Sequence, residues 1–209
     1  MRIGFFGGTF NPVHYGHLRA AEEARILLSL DVIQFLPSGS PPLKNADLAD
    51  VHDRVALTKL AIASNPMFSL CDIELQSEQK SFTVDTARAL AERYPQDDLI
   101  FILGADAFLD LPNWYRPEEL TTLIDFAVVT RSGVAPEIVL KSPFLGERVS
   151  AEPETWRLRG GRTAVFLEIT PLGISSTQLR RLIREGKSIR YLVPDSVGSY
   201  IEKKLLYRG

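Results

Sequence analysis

Cysteine is nearly absent from this chain of 209 residues: Cys71 stands alone. One thiol cannot close an intrachain disulfide, and it cannot supply a Cys-rich metal centre. An excess of basic charge is also missing. Lys and Arg number 24 against 26 Asp and Glu, a net charge of −2, which argues against a surface built to grip a nucleic-acid backbone. No apolar run approaches the about 18 residues of a membrane-spanning helix. The opening stretch Met1-Arg2-Ile3-Gly4-Phe5-Phe6 is short, turns glycine-rich and shows no small-residue cleavage site, so no secretory leader is expected. Internal repeats and low-complexity tracts are lacking too. What is present is ordinary globular composition, 45% hydrophobic and 24% charged, enough to bury a sizeable core. The expectation is one domain over 1–209, cytoplasmic, with neither nucleic-acid nor membrane partners.

Along the chain, short apolar runs alternate with amphipathic stretches. Ile3 to Phe6, Val32 to Leu36, Phe68 to Leu75, Leu99 to Leu103, Phe126 to Thr130 and Thr163 to Ile169 read as strands. Between them Gly16–Ser29, Asp53–Ser64, the repeat from Val84 to Tyr94, and the stretch after Pro117 read as helices. This alternation predicts an α/β fold: a Rossmann-like, mostly parallel sheet with helices on both faces. Ser176–Glu185 and Ser196–Leu206 form a small C-terminal helical part, within 175–209. Ser132 to Gly161 mixes Gly, Pro and charge without a clean period and reads as an irregular excursion. The lone Cys71 reads as a buried, inert thiol.

The strongest chemical signal is Gly7-Gly8-Thr9-Phe10-Asn11-Pro12-Val13-His14-Tyr15-Gly16-His17, between the first strand and the first helix. In a doubly wound sheet this is the switch-point crevice where nucleotides bind. Paired glycines let a backbone approach phosphates closely, and a helix start adds unpaired N–H groups and partial positive charge. His14 and His17, two of only three histidines, are spaced to face one ligand and can donate to phosphate oxygens. Neither a Walker loop nor a Gly-x-Gly-x-x-Gly fingerprint is present. The bland alternative is a glycine turn with two incidental histidines.

This segment resembles the H-x-G-H nucleotidyltransferase signature in the form carried by bacterial nicotinate mononucleotide adenylyltransferases. Further stretches are similar to that family. Pro37 to Lys44 resembles its loop after the second strand, with Leu43 where His is usual. Ser81-Phe82-Thr83-Val84-Asp85-Thr86, Gly104-Ala105-Asp106 with Trp114, and Ile174-Ser175-Ser176-Thr177-Gln178-Leu179-Arg180 match other family elements, although Leu182 stands where a second Arg often follows. The resemblance implies transfer of AMP from ATP to nicotinate mononucleotide, with Mg²⁺ accompanying ATP and no metal site of the chain's own. It implies catalytic roles for His14, His17 and Arg180. ATP would meet those three residues and Gly7, Gly8, Thr9, Phe10, Lys44, Gly104, Asp106, Ser175 and Ser176, and the mononucleotide would meet Thr83, Asp106 and Trp114. Nicotinamide mononucleotide or phosphopantetheine as acceptor, and a nucleotide-binding regulator without turnover, are the competing readings.

The residues themselves leave simpler roles open. Ser175 and Gln178 have capping-box spacing, Thr83 and Asp106 could be N-caps, and Lys44 could be a solvated surface lysine. Trp114 could be an open platform or a packed core residue.

Overall fold

The computed structural model describes residues 1–39, 47–76, 81–130 and 140–208. Strands β1 (Arg2–Gly8), β2 (Val32–Pro37), β3 (Phe68–Leu70), β4 (Asp98–Gly104), β5 (Asp125–Thr130), β6 (Leu145–Ala151), β7 (Glu154–Leu158) and β8 (Thr163–Glu168) form one eight-stranded sheet. Its order is β3-β2-β1-β4-β5-β8-β7-β6. The six strands β3, β2, β1, β4, β5 and β8 pair in parallel; β7 runs antiparallel between β8 and β6. The expected mostly parallel α/β sheet is therefore observed.

Among the described residues the helices are α1 (Tyr15–Leu27), α2 (Val51–Ile62), α3 (Thr83–Arg93), α4 (Ala105–Leu109), α5 (Pro117–Leu123), α6 (Ser176–Arg184) and α7 (Asp195–Lys204). They divide between two apolar layers. One buries Ala20, Ala24, Leu57, Leu179, Val197 and Ile201 of α1, α2, α6 and α7 against Phe6, Ile33 and Ile102 of the sheet. The other buries Val84, Leu90, Phe108 and Leu120 of α3, α4 and α5 against Phe5, Phe101 and Phe126. Strands covered on both faces need unalternating apolar runs, which is how β1, β4 and β5 read.

Two readings are corrected. The strand expected at Phe68–Leu75 ends at Leu70, and Ile73–Gln76 closes a 3₁₀ turn instead. Cys71, with its amide bonded to Phe35 O, is where the chain leaves the sheet. The stretch 132–161 is not irregular where it is described: it contains the β6–β7 hairpin, which extends the sheet antiparallel from β8. The hairpin lacks apolar alternation because β6 is an edge strand with mostly exposed residues. Cross-strand pairs Arg148–Glu154 and Arg157–Glu147 decorate it, and charge on an edge discourages pairing with other chains.

Candidate active site

Order reverses between β1 and β4, so their carboxyl ends make the switch-point crevice. Phe6 and Ile102 are the last pair between β1 and β4, so Gly7–Gly8 and Leu103–Gly104 leave neighbouring strands at the same end. The signature and the Gly104–Asp106 element thus meet at one edge of the sheet, though they lie far apart in sequence.

Packing shapes the signature turn from below. A Cβ on Gly7 would lie 2.6 Å from the buried Phe101 ring, so any larger residue would have to displace that ring. Phe10 adopts a left-handed φ of +48° and buries its ring against Phe6, Phe35 and His17. Its ring is sealed in the core, and only its backbone remains for a nucleotide. Asn11 is buried as well. Its amide donates to Asp47 O at 2.9 Å, and its carbonyl oxygen accepts from Ala49 N at 3.0 Å. Sequence reasoning assigned Asn11 no role; a buried side-chain amide needs such partners, and only the fold supplies them.

The histidines form a reciprocal cap on α1. His14 is the N-cap, its extended backbone N–H donating to His17 Nδ1 at 3.2 Å, while His17 N donates to His14 O at 2.9 Å. Their rings stack with centroids 3.7 Å apart. His14 is 1% exposed and His17 half-buried. Because Nδ1 of His17 accepts, a neutral ring carries its proton on Nε2, which can donate to a ligand. No acidic residue occupies the first turn of α1, so its positive end is not neutralised locally.

Helix α6 joins the same loop. Ser175 is its N-cap, accepting from Gln178 N at 3.2 Å, as the capping-box spacing suggests. Ser176 Oγ donates to Pro12 O at 2.9 Å. Arg180, 8% exposed, donates to Asn11 O at 2.8 Å and to Thr177 Oγ1 at 3.4 Å. Asp47 sits 3.9 Å from Arg180 and 2.8 Å from Arg184, which holds its carboxyl below the usual range. Arg180 therefore reaches the signature as a clamp beneath its main chain. Arg54 was also missed: 1% exposed, it donates to the carbonyls of Thr9, Ser38, Gly39 and Ala49 at 2.8–3.2 Å. A mid-helix arginine carries no sequence signal for such a role.

Across the crevice, Asp106 is exposed in the first turn of α4, and Gly104, not Asp106, is the N-cap. A Cβ on Gly104 would lie 2.5 Å from the Asp106 carboxylate. Thr83 begins α3 but does not cap it. Phe82 is the N-cap, and no side-chain cap bond is made. Asp85 turns aside to pair with Arg88 at 2.5 Å. Phe82 packs on Tyr115 in a tilted pair with centroids 4.6 Å apart, bringing the start of α3 to the Trp114 segment. Trp114 is half-buried, packed on the second core layer. Lys44 lies outside the described residues. Cys71 is buried, and burial pushes its thiol pKa up, consistent with an inert role.

The cytidylyltransferase-like family model matches residues 5–182. A Geobacter sulfurreducens protein named "Probable nicotinate-nucleotide adenylyltransferase" is 41% identical over 214 residues, covering 99% of this chain and 98% of that one. A Pseudomonas syringae pv. tomato protein of the same name is 40% identical, covering 100% and 94%. Among solved structures, the Plasmodium falciparum nicotinic acid mononucleotide adenylyltransferase complexed with NaAD superposes with a TM-score of 0.77. Its identity is 22%, with 99% of this chain and 97% of that chain covered. At that identity it speaks for the fold.

Proposed function

Since the chain belongs to the cytidylyltransferase-like family, we propose that it transfers the AMP moiety of ATP to nicotinate mononucleotide, releasing pyrophosphate and forming nicotinate adenine dinucleotide, a step of NAD biosynthesis. The observation that carries this reading is the stacked His14–His17 pair on a helix start at the switch point, beside the glycine turn. In-line attack by the mononucleotide's 5′-phosphate on the α-phosphorus forms one P–O bond and breaks the bond to the β-phosphate. The attacking phosphate is already largely dianionic near pH 7, its second pKa being about 6, so no general base is needed. The protein's work is to align two anions and offset developing charge.

In this reading Gly7, Gly8, Thr9 and Phe10 present main chain to ATP. His17 donates from Nε2 to the triphosphate, with His14 stacked behind it. Lys44 and Arg180 contribute positive charge, Gly104 and Asp106 line the opposite wall, and Ser175 and Ser176 fix the edge of α6. Thr83, Asp106 and Trp114 hold the acceptor. Mg²⁺ fits as a companion of the triphosphate, where it would neutralise phosphate oxygens. Among the described residues no group of three His, Cys, Asp or Glu side chains gathers to hold a metal, and the imidazole and N–H donors present suit phosphate. We place the reaction in the cytoplasm. No helix among the described residues is long and apolar enough to cross a membrane.

The start of α3 supports an acidic acceptor, since amides at a helix N-terminus favour an anion and Asp85 is turned to Arg88. A pyrophosphate-release assay with ATP and a panel of acceptors tests the whole reading. Nicotinate mononucleotide should exceed the nicotinamide form by at least ~10²-fold in kcat/KM. Phosphopantetheine should be inert. Equal use of both mononucleotides would reject the acid-selective site, and turnover of none would favour a regulator.

A further inference from the structure

Arg54 and Glu74 lie outside the residues given roles above, yet they grip a single peptide from opposite sides. Arg54, on α2, is buried, and the hydrogen bonds described for it go to main-chain carbonyls. Nη1 reaches Thr9 O at 2.9 Å and Ser38 O at 2.8 Å, and Nη2 reaches Gly39 O at 3.1 Å. Glu74, in the 3₁₀ turn after β3, accepts from Thr86 Oγ1 at 2.8 Å, and its carboxylate is faced by the Gly39 N–H and the Ser81 hydroxyl, which favour its charged form. Gly39 is held so closely that a Cβ would fall 2.2 Å from Glu74 O, which only glycine allows. A charge buried on main-chain carbonyls is costly to retain unless those carbonyls must be fixed.

We infer that Arg54 and Glu74 are positioning residues whose shared hold on the Gly39 peptide sets the signature turn and the β2 loop in register with the start of α3. This rests on the proposed adenylyl transfer and deepens it. The donor nucleotide would lie on the Thr9 side of the bridge and the acceptor on the Ser81–Thr86 side. Neither residue touches substrate; each fixes the distance between the two reacting phosphates. Displacement by about 1 Å can cost on the order of 10²-fold in rate without preventing either substrate from binding.

The test uses the full chain with Arg54→Lys, Glu74→Gln, the double variant, and Thr86→Val, which removes one donor to Glu74 with little change of shape. Assays run well below each melting temperature. Arg54→Lys and Glu74→Gln are expected to lower kcat by about 10- to 100-fold, with dissociation constants for ATP alone and nicotinate mononucleotide alone within about threefold of wild type. Thr86→Val should follow with a smaller loss. The double variant should be no slower than the worse single one, because both act through one peptide. Singles within twofold of wild-type kcat, a loss confined to binding, or multiplying effects in the double variant would each overturn the bridge. If wild type itself lacked turnover, the functional reading would fail first. Amide hydrogen exchange at Gly39 in Glu74→Gln would still decide the bridge, faster exchange supporting it and unchanged exchange overturning it.

Discussion

Single side chains here carry both chemistry and scaffold, and His17 shows how closely the two are joined. Its Nδ1 accepts the amide that would otherwise be unpaired at the start of α1, and its ring lies edge-on to Phe10 with centroids 5.2 Å apart. His17→Ala should therefore lower kcat by roughly 10²–10³-fold, as removal of a transition-state donor does. It should also cost about 1 kcal/mol through the lost cap. Steady-state kinetics and thermal melting read the two effects separately, and near wild-type kcat would remove His17 from the chemistry. Glu74 offers a test of electrostatics. Burial raises its pKa, which hydrogen bonds from Thr86, Gly39 and Ser81 and the charge of Arg54 offset only in part. The folded protein then holds this proton more tightly than the unfolded chain. Its contribution to stability is greatest at acid pH and falls as pH rises from about 4.3 through the raised value. Glu74→Gln cannot titrate, so its melting temperature relative to wild type should climb as pH rises from about 4.3 through the raised value. A constant difference across that range would refute burial as the cause. His17 was legible in the sequence, but Asn11, Arg54 and Glu74 were not: they look like ordinary polar residues until the fold buries the first two and half-buries the third.

Elements were easier to read than their ends. The start of helix α6 agrees with its capping spacing, because Ser175 and Gln178 are local and a cap is a local bond. Ser175→Ala should cost about 1 kcal/mol, a fall in melting temperature of about 2–4 °C for a chain of this size. Equal melting temperatures for variant and wild type would mean that Ser175 stabilises nothing. Helix α3 is the contrasting case. Thr83 looks like a cap, but Phe82 takes that place. The ring of Phe82 is drawn onto Tyr115, a contact between residues 33 positions apart that no local rule anticipates. The β6–β7 hairpin was hidden for a related reason: an edge strand with mostly exposed, charged residues has no apolar face to alternate.

Across the whole molecule, the apolar layer under α1 joins the signature to the C-terminal helical part. Val13 and Leu179, both fully buried, belong to one cluster, and Ser176 and Arg180 bond the main chain of Pro12 and Asn11. Leu179→Ala should cost about 2–5 kcal/mol. Its melting temperature should drop by well over the few degrees expected for Ser175→Ala, with turnover at low temperature reduced through a loosened signature turn. A drop no larger than that of Ser175→Ala would show that α6 is not a structural wall of the site. The sequence by itself determined the parallel α/β architecture, because two-sided burial demands unbroken apolar strands separated by amphipathic helices. It also determined the candidate nucleotide site, because glycines and histidines at a strand-to-helix turn are contiguous. The tertiary structure alone decided that the ends of β1 and β4 lie side by side, that Arg180 braces the signature from beneath, and that Arg54 and Glu74 meet at Gly39. Those are contacts between distant segments, fixed by strand order and by the need of buried charges to find partners, and neither is written in the spacing of residues along the chain.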